Sequence, residues 1–308
     1  MAFSDEFTTG NRKGVAGDQQ SPPRARSQPD HQLTGRCLLD PSKGYVLQGL
    51  IHRPARRGTP LPIDRMSDRL YFRQLLAGRD FATSDPIAAQ MVNFVYLIGD
   101  RETGEALVVD PAYDVDDLLR IATDDGMKLV GTLATHYHPD HIGGDLSGHD
   151  IQGICSLLEK QGMKVHVQKP EVEWIKRVTP ISDSDLQVHE SGDVVQVGEI
   201  RVELIHTPGH TPGSQCFLVN NRLVAGDTLF LEGCGRTDLP GGNPRDLYLS
   251  LTQKLAQVPD DAILFPGHLY APEPRATMGE TRSQNTVFKP QTEAEWLRVF
   301  GPADAGWE

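Results

Sequence analysis

The sequence is short of cysteine, of positive charge and of long apolar runs, and each shortage excludes a class of protein. Its 308 residues include four cysteines and no Cys-x-x-Cys pair, which excludes a disulfide scaffold and predicts a reducing, cytoplasmic compartment. Lys and Arg number 30 against 42 Asp and Glu, so the net charge of −12 argues against nucleic acid as a partner. No apolar run approaches the roughly 20 residues of a membrane-spanning helix, so no membrane partner is expected.

The negative charge is unevenly distributed along the chain. Residues 1–65 carry 10 basic and 6 acidic residues, whereas residues 66–308 carry 20 and 36. The first segment is also rich in Arg, Ser, Pro and Gly, and such a composition buries too little apolar surface to offset the entropy of ordering. We therefore predict a disordered extension over residues 1–65 and a folded domain over residues 66–308. A transit peptide or a natural start at Met66 are the alternatives for the extension.

In the body of the chain, short apolar runs alternate with helical patterns, then strands follow one another, and then the alternation returns. The predicted strands span residues 70–76, 91–98, 106–109, 129–133, 194–197, 200–205, 215–219, 223–225 and 262–265. The predicted helices begin after Asp114 and span residues 151–160, 171–178, 244–255 and 291–300. This order of elements predicts an α/β sandwich with mixed sheets.

The segment THYHPDHIGG follows the predicted strand 129–133 and contains three histidines and one aspartate within six residues. Imidazole and carboxylate are ligands that Zn²⁺ and Fe²⁺ accept at neutral pH. His136 and His138 alternate by two, so in an extended segment they point the same way. Asp140 and His141 lie past a proline, where the chain turns and can face a second ion. The segment therefore predicts a metal site, and a solvated histidine-rich loop is the alternative.

Three further residues of the same chemical types follow predicted strands. They are His210 in TPGHTPGS, Asp227 in AGDT and His268 in PGH. Each motif alone is weak, because a lone Gly-Asp is usually a turn and a lone histidine is usually structural. Since every one of them follows a strand, all could converge at one edge of the sheets.

This ordered set of motifs resembles the metallo-β-lactamase superfamily, and within it the branch of glyoxalase II and the persulfide dioxygenases. The resemblance covers residues 69–270 and implies an α/β fold, a four-layer αβ/βα sandwich with two mixed β-sheets. It also implies two divalent metal ions, with Zn²⁺ favoured and Fe²⁺ or Mn²⁺ as alternatives. The implied ligands of the first ion are His136, His138, His210 and Asp227. Those of the second are Asp140, His141, Asp227 and His268, while Asp110 matches an early aspartate with a supporting role.

Two chemistries follow from the resemblance. The favoured one is thioester hydrolysis, like that of hydroxyacylglutathione hydrolase, by a metal-activated hydroxide that Asp140 also orients. The alternative is a persulfide dioxygenase that acts on glutathione persulfide or another low-molecular-weight thiol persulfide. Its single Fe²⁺ would be held by His136, His210 and Asp227. The segment GCGRTD at residues 233–238 is similar to the dioxygenases, but GRTDLPGG also occurs in many bacterial hydrolases of the superfamily.

The substrate is expected to be a small-molecule thioester or another thiol derivative. Arg236 closely follows the predicted site loop and is the candidate substrate anchor. Residues 145–169 insert a loop and a helix after the first motif, and we expect them to wall the pocket. Since the body of the chain is acidic, it is a poor attractor for anionic glutathione. The identity of the thiol carrier therefore stays open.

Overall fold

The computed structural model describes residues 69–301, so the predicted extension over residues 1–65 lies outside the described residues. The strands are β1 (Leu70–Leu76), β2 (Phe94–Asp100), β3 (Glu105–Val109), β4 (Lys128–Leu133), β5 (Gly144–Leu146), β6 (His149–Ile151), β7 (Lys164–Gln168), β8 (Leu186–His189), β9 (Val194–Val197), β10 (Ile200–His206), β11 (Gln215–Val219), β12 (Arg222–Gly226), β13 (Ile263–Pro266) and β14 (Ala276–Thr277). The α-helices are α1 (Pro86–Met91), α2 (Val115–Asp124), α3 (Pro139–Ile142), α4 (Ile154–Lys160), α5 (Val172–Val178), α6 (Pro244–Leu249), α7 (Met278–Gln284) and α8 (Glu293–Phe300). None of the helices described is long and apolar enough to cross a membrane.

Two six-stranded mixed sheets form the centre of the fold. The first has the order β1-β2-β3-β4-β7-β8, antiparallel from β1 to β3 and parallel from β3 to β8. The second has the order β14-β13-β12-β11-β10-β9, in which only the pair β12 and β13 is parallel. Strands β5 and β6 pair separately as a hairpin.

The central strands β2, β3, β11 and β12 bury both of their faces, which explains their almost continuous apolar sequences. Along β2, Phe94 and Tyr96 contribute to the core between the two sheets, whereas Val95 and Leu97 contribute to the core beneath the helices. Phe217 of β11 is fully buried in the same inter-sheet core. Burial of one such side chain contributes about 2–3 kcal/mol. Alternation on two buried faces therefore fixes the register of each of these central strands.

Helices cover the outer face of each sheet. Ala88 of α1 and Leu118 of α2 pack on the first sheet, and Ile175 of α5 packs on its far end. Met278 of α7 and Trp296 of α8 pack on the second sheet. The arrangement confirms the predicted four-layer αβ/βα sandwich. We call the first sheet with α1 to α5 the first half, and the second sheet with α6 to α8 the second half.

Helix α2 begins where its sequence predicts. Asp114 has an extended backbone, and its carboxylate accepts a hydrogen bond of 2.9 Å from the backbone N of Asp117. This contact satisfies one of the amide groups that a helix leaves unpaired at its start. Leu118 and Ala122 then lie buried on one face of the helix.

Several predicted boundaries differ from the structure, since α6 ends at Leu249 and α8 begins at Glu293. Two further boundaries are wrong for local reasons. The predicted strand 91–98 begins only at Phe94, because Asp85 caps a short helix that continues through Met91. The predicted helix 151–160 begins at Ile154, because Ile151 is the last residue of the β5–β6 hairpin. That hairpin is short and is closed by Ser147 and Gly148, which both have positive φ angles.

Candidate metal centre

The structure brings the seven predicted metal ligands together at one edge of the two sheets. Those of the first half follow β4, in the loop and the short helix α3 that come after it, and those of the second half follow β10, β12 and β13. The loop after β4 contacts the second half directly, since the backbone N of Gln215 donates to Thr135 O at 2.9 Å. Likewise, the backbone N of Phe94 donates to Gly267 O at 2.8 Å, beside His268.

The first donor set consists of His136, His138 and His210. One nitrogen from each lies within 4.8 Å of the others. The closest pair is His138 Nδ1 and His210 Nε2, 2.9 Å apart. The buried Nε2 atoms of His136 and His138 have no hydrogen-bond partner. A buried nitrogen without a partner costs about 1–3 kcal/mol, so this set fits a bound cation.

The second donor set consists of Asp140, His141 and His268, whose ligand atoms also lie within 4.8 Å of one another. His141 Nε2 is 3.2 Å from His268 Nε2. Asp140 Oδ2 is 3.5 Å from each of these two nitrogens. All three side chains are buried, so the negative charge of Asp140 is poorly screened and favours a cation.

Asp227 lies between the two sets. Its Oδ2 is 3.7 Å from His210 Nε2 in the first set and 3.4 Å from His268 Nε2 in the second. Its buried Oδ1 has no hydrogen-bond partner. Gly226, directly before it, has a φ of 49°, and a Cβ there would collide with Thr135. The glycine therefore allows β12 to place this carboxylate between both sets.

Four imidazoles of the centre present Nε2 to it because the opposite nitrogen is hydrogen-bonded elsewhere. His210 Nδ1 donates to Arg236 O at 2.7 Å, and His268 Nδ1 donates to Met91 O at 2.8 Å. Asp110 Oδ2 faces His141 Nδ1 at 2.9 Å and accepts from Thr135 Oγ1 at 2.6 Å. Such contacts fix the ring orientation of metal-binding histidines. The fourth imidazole is that of His136, whose Nδ1 lies 2.9 Å from the same Thr135 hydroxyl.

Burial and crowding shift the pKa values of His136, His141 and Asp227 far from their ordinary ranges. Burial lowers the pKa of His136 well below its usual value. Burial alone would lower the pKa of His141, but Asp140 and Asp227 outweigh it and raise that pKa to about 10. Burial alone would raise the pKa of Asp227, yet the neighbouring histidines hold it well below its usual range. Protons and divalent ions therefore compete for the same donors.

Glu171 is a site residue that the sequence reasoning missed. Its carboxylate is 1% exposed and accepts three hydrogen bonds at the junction of the two halves. Glu171 Oε1 accepts from Tyr137 N at 2.7 Å and from Thr211 Oγ1 at 2.8 Å, while Oε2 accepts from Gly213 N at 2.6 Å. One carboxylate thus ties the loop of His136 and His138 to the loop of His210. An acidic residue at the start of a predicted helix gives no sign of this role.

Asn93 is a second missed residue, and it is 2% exposed. Its Nδ2 lies 3.1 Å from Asp140 Oδ2 and 3.3 Å from His141 Nε2. Its Oδ1 accepts a hydrogen bond of 2.8 Å from the hydroxyl of Tyr113. The amide is therefore held in place and orients the second donor set. It lies in an apolar run that the sequence predicts as a strand, so nothing marks it as functional.

A cavity of about 740 Å³ lies over the centre. Leu146 of the β5–β6 hairpin forms part of its wall, together with Met91 and Phe230. The segment 145–169, expected to wall the pocket, thus does so through this hairpin. Arg236 also lines the cavity, but Asp238 binds its guanidinium at 2.6 and 2.5 Å, so the predicted anchoring role stays a prediction.

The comparison with protein families decides the classification. The model of the metallo-β-lactamase superfamily matches residues 90–268, which include all seven predicted ligands. The chain belongs to the metallo-β-lactamase superfamily. The family predicted from the motifs is therefore confirmed, and its members are metal-dependent enzymes.

Relatives of this superfamily member come from both predicted branches. The human mitochondrial persulfide dioxygenase ETHE1 is 30% identical over 213 residues, which are 68% of this chain and 76% of that protein. The hydroxyacylglutathione hydrolase of Polaromonas sp. is 35% identical over 182 residues, 58% of this chain and 62% of that one. The crystal structure of ETHE1 from Myxococcus xanthus matches with a TM-score of 0.61 and 30% identity, covering 76% of this chain and 91% of its own.

Proposed function

We propose that this chain is a hydrolase that uses two divalent metal ions, with Zn²⁺ favoured, to cleave a thioester. The observation that carries the proposal is the pair of buried donor sets that share Asp227. His136, His138, His210 and Asp227 would hold the first ion. Asp140, His141, Asp227 and His268 would hold the second.

The bound ions would supply a nucleophile by lowering the pKa of water and would polarise the acyl oxygen. Asp140, which Asn93 holds at 3.1 Å, would orient that water. Hydrolysis forms a C–O bond, breaks the C–S bond and releases a carboxylate and a thiol. Burial raises the pKa of the Cys234 thiol in the cavity wall to about 12, so this residue supplies no nucleophile at neutral pH.

We also propose that the protein is located in the cytoplasm. Cys155, Cys216 and Cys234 are free thiols, and Cys216 is buried in the second half. Free thiols persist in reducing compartments, where disulfides are rare.

The second candidate function is persulfide dioxygenation. It is supported by the likeness to the human and Myxococcus xanthus ETHE1 proteins and by the segment GCGRTD, which contributes Cys234 and Arg236 to the cavity wall. In this case His136, His210 and Asp227 would hold one Fe²⁺. Two histidines and one carboxylate leave open positions for O₂ and substrate.

The two candidates differ in metal content and in the consumption of O₂. Protein purified without a chelator is analysed for bound metals, then assayed for thioester hydrolysis and for O₂ uptake with glutathione persulfide. The thioesters are those of glutathione and of N-acetylcysteamine. We expect hydrolysis of a thioester and no O₂ uptake. O₂ uptake by protein that binds one iron, without hydrolysis of either thioester, would show the dioxygenase instead.

A further inference from the structure

We propose that the cavity accepts a thiol carrier without net negative charge and discriminates against glutathione and other anionic carriers. The proposal rests on the proposed function in one respect, which is that the substrate is a thiol derivative. It deepens that function by naming the chemical class of the thiol half.

The first observation is the state of the cation in the cavity wall. Among the residues that line this cavity, Arg236 is the only Lys or Arg. Its Nε donates to Asp238 Oδ1 at 2.6 Å and its Nη2 donates to Asp238 Oδ2 at 2.5 Å. This two-point contact occupies the pair of guanidinium N–H groups that would otherwise bind a substrate carboxylate. The pair presents no net charge to a ligand.

The second observation is the charge beyond the metal centre. Glu232 lines the catalytic cavity and also a neighbouring cavity of about 590 Å³. Glu273 and Glu280 line that neighbouring cavity, and no Lys or Arg is among its lining residues. A carrier that extends past Glu232 therefore meets carboxylates, which repel an anion.

The third observation is the aromatic surface at the mouth of the cavity. Tyr270 is 52% exposed, and its ring stacks on His268 with centroids 4.6 Å apart and planes 7° apart. Phe230 meets Tyr270 edge-on at 5.1 Å. With Met91 and Leu239, these rings give the cavity an apolar wall. Such a wall contributes affinity by burying apolar atoms and needs no charge on the ligand.

Glutathione fits these surfaces poorly. At neutral pH it carries two carboxylates and one ammonium group, so its net charge is negative. Its carboxylates would have to displace Asp238 from Arg236 or remain unpaired near Glu232. An uncharged polar carrier needs neither to displace Asp238 nor to place an unpaired carboxylate near Glu232. Beyond the metal donors, where the carrier would lie, the charge distribution therefore assigns the cavity to a neutral thiol carrier.

The test compares two unreactive probes, S-benzylglutathione and S-benzyl-N-acetylcysteamine, by calorimetric titration of the metal-loaded protein. We expect the neutral probe to bind at least about 10-fold more tightly, since only the anionic probe meets like charge. Raising NaCl from about 20 to about 200 mM should strengthen binding of the anionic probe alone, because salt screens repulsion between exposed charges.

Asp238→Asn isolates the contribution of Arg236. The substitution frees the guanidinium, so the affinity for S-benzylglutathione should rise about fivefold while that for the neutral probe stays unchanged. Asp117→Asn is the matched control. It removes the same charge from an exposed pair with Arg120 on α2, where the two side chains meet at 2.6 Å. It should alter neither affinity.

Each outcome decides the proposal. Equal affinities for both probes in the wild type would overturn it, as would equal effects of Asp238→Asn and Asp117→Asn. Benzoyl thioesters of the same two thiols then separate the carrier from the reaction. If the protein prefers the neutral probe but hydrolyses neither thioester, the hydrolase fails and the carrier assignment stands. If it hydrolyses the glutathione thioester at least as well as the neutral one, the carrier assignment fails and the hydrolase stands.

Discussion

The two halves of the sandwich build the metal centre in different ways. The first half places His136, His138, Asp140 and His141 in the loop and the short helix α3 that follow β4, so four donors come from six consecutive residues. The second half supplies its three donors from three separate strand ends. The first contribution depends on local chain geometry, whereas the second depends on the order of β10 to β13 in the sheet. Removal of a donor and separation of the halves should therefore have different effects.

A few buried polar contacts hold the two halves in register at the centre. Gln215 of β11 reaches the first half, and its Nε2 donates to Ala134 O at 2.8 Å. Glu171 of the first half reaches the second half through Thr211 and Gly213. Because these groups are buried, loss of one partner leaves the other unpaired. The centre thus depends on residues that do not bind metal themselves.

The largest effect should come from removing a donor that the first half supplies. His136→Ala should lower activity roughly 10³-fold or more, because a bound ion supplies several kcal/mol of transition-state stabilisation. Metal analysis and thioester hydrolysis are measured together. The exposed His149 of β6 offers the matched control, and His149→Ala should retain full activity. Unchanged activity and metal content in His136→Ala would contradict the assignment of the donors.

Acid should lower the free energy of unfolding through His166, a histidine of the first half that lies outside the metal centre. Burial lowers the pKa of His166 to about 4, and its Nδ1 lies 2.9 Å from His189 Nε2. The unfolded chain binds a proton at about pH 6.5, so this contribution to stability is present above that pH and is lost as the pH falls towards 4. Between about pH 6.5 and pH 5 the loss should be about 2 kcal/mol.

Urea denaturation of the metal-free protein at both pH values measures this loss. In His166→Gln, the free energy of unfolding should fall less than in the wild type over the same interval. Equal losses in the two proteins would show that other groups cause the acid sensitivity.

Glu171→Gln should loosen the connection between the halves. The amide would place an N–H group against hydrogen-bond donors that now meet a carboxylate, so one donor would lose its acceptor. We expect the first ion to bind about 10–100-fold more weakly, as is usual when a contact that orients ligands is lost. Competition with a chromophoric chelator measures the affinity, and the visible spectrum of the Co²⁺ form reports the ligand geometry.

Glu173→Gln, at an exposed position of α5 two residues after Glu171, is the control for Glu171. It should change neither the affinity nor the spectrum. The shorter Glu171→Asp should not restore wild-type binding, because its carboxylate is one methylene further from the three donors. Wild-type affinity and spectrum in Glu171→Gln would show that the carboxylate only fills space.

Asn93→Ala should produce the smallest effect and should act on one donor set. Loss of the contact with Asp140 should weaken the second ion about 10-fold and leave the first unchanged. Stepwise titration of the metal-free protein with Zn²⁺ resolves the two affinities. An equal weakening of both ions would mean that Asn93 supports the whole fold of the centre rather than the second set.

The sequence predicts the fold and the donors for the same physical reason. Buried strands leave long apolar runs, and the residues that follow them, such as His136 and Asp227, are placed by the ends of those strands. Asp114 is predictable as a helix cap because its partner is only three residues away.

Residues whose partners are distant in the chain cannot be recognised from the local sequence. Glu171 contacts Tyr137 and Gly213, 34 and 42 positions away in the chain. Asn93 contacts Asp140, 47 positions away. The β5–β6 hairpin escapes prediction because its strands have only three residues each, too few to show a period. These features depend on tertiary contacts, which a periodic pattern does not encode.

Anomalous diffraction from a crystal of the Zn²⁺-loaded protein tests the central claim most directly. That claim is that the two donor sets share Asp227 and hold two ions. It predicts two peaks, one within reach of His136, His138 and His210 and one within reach of Asp140, His141 and His268, with the Asp227 carboxylate between them. A single peak bound by His136, His210 and Asp227, with the second set empty at saturating Zn²⁺, would contradict it.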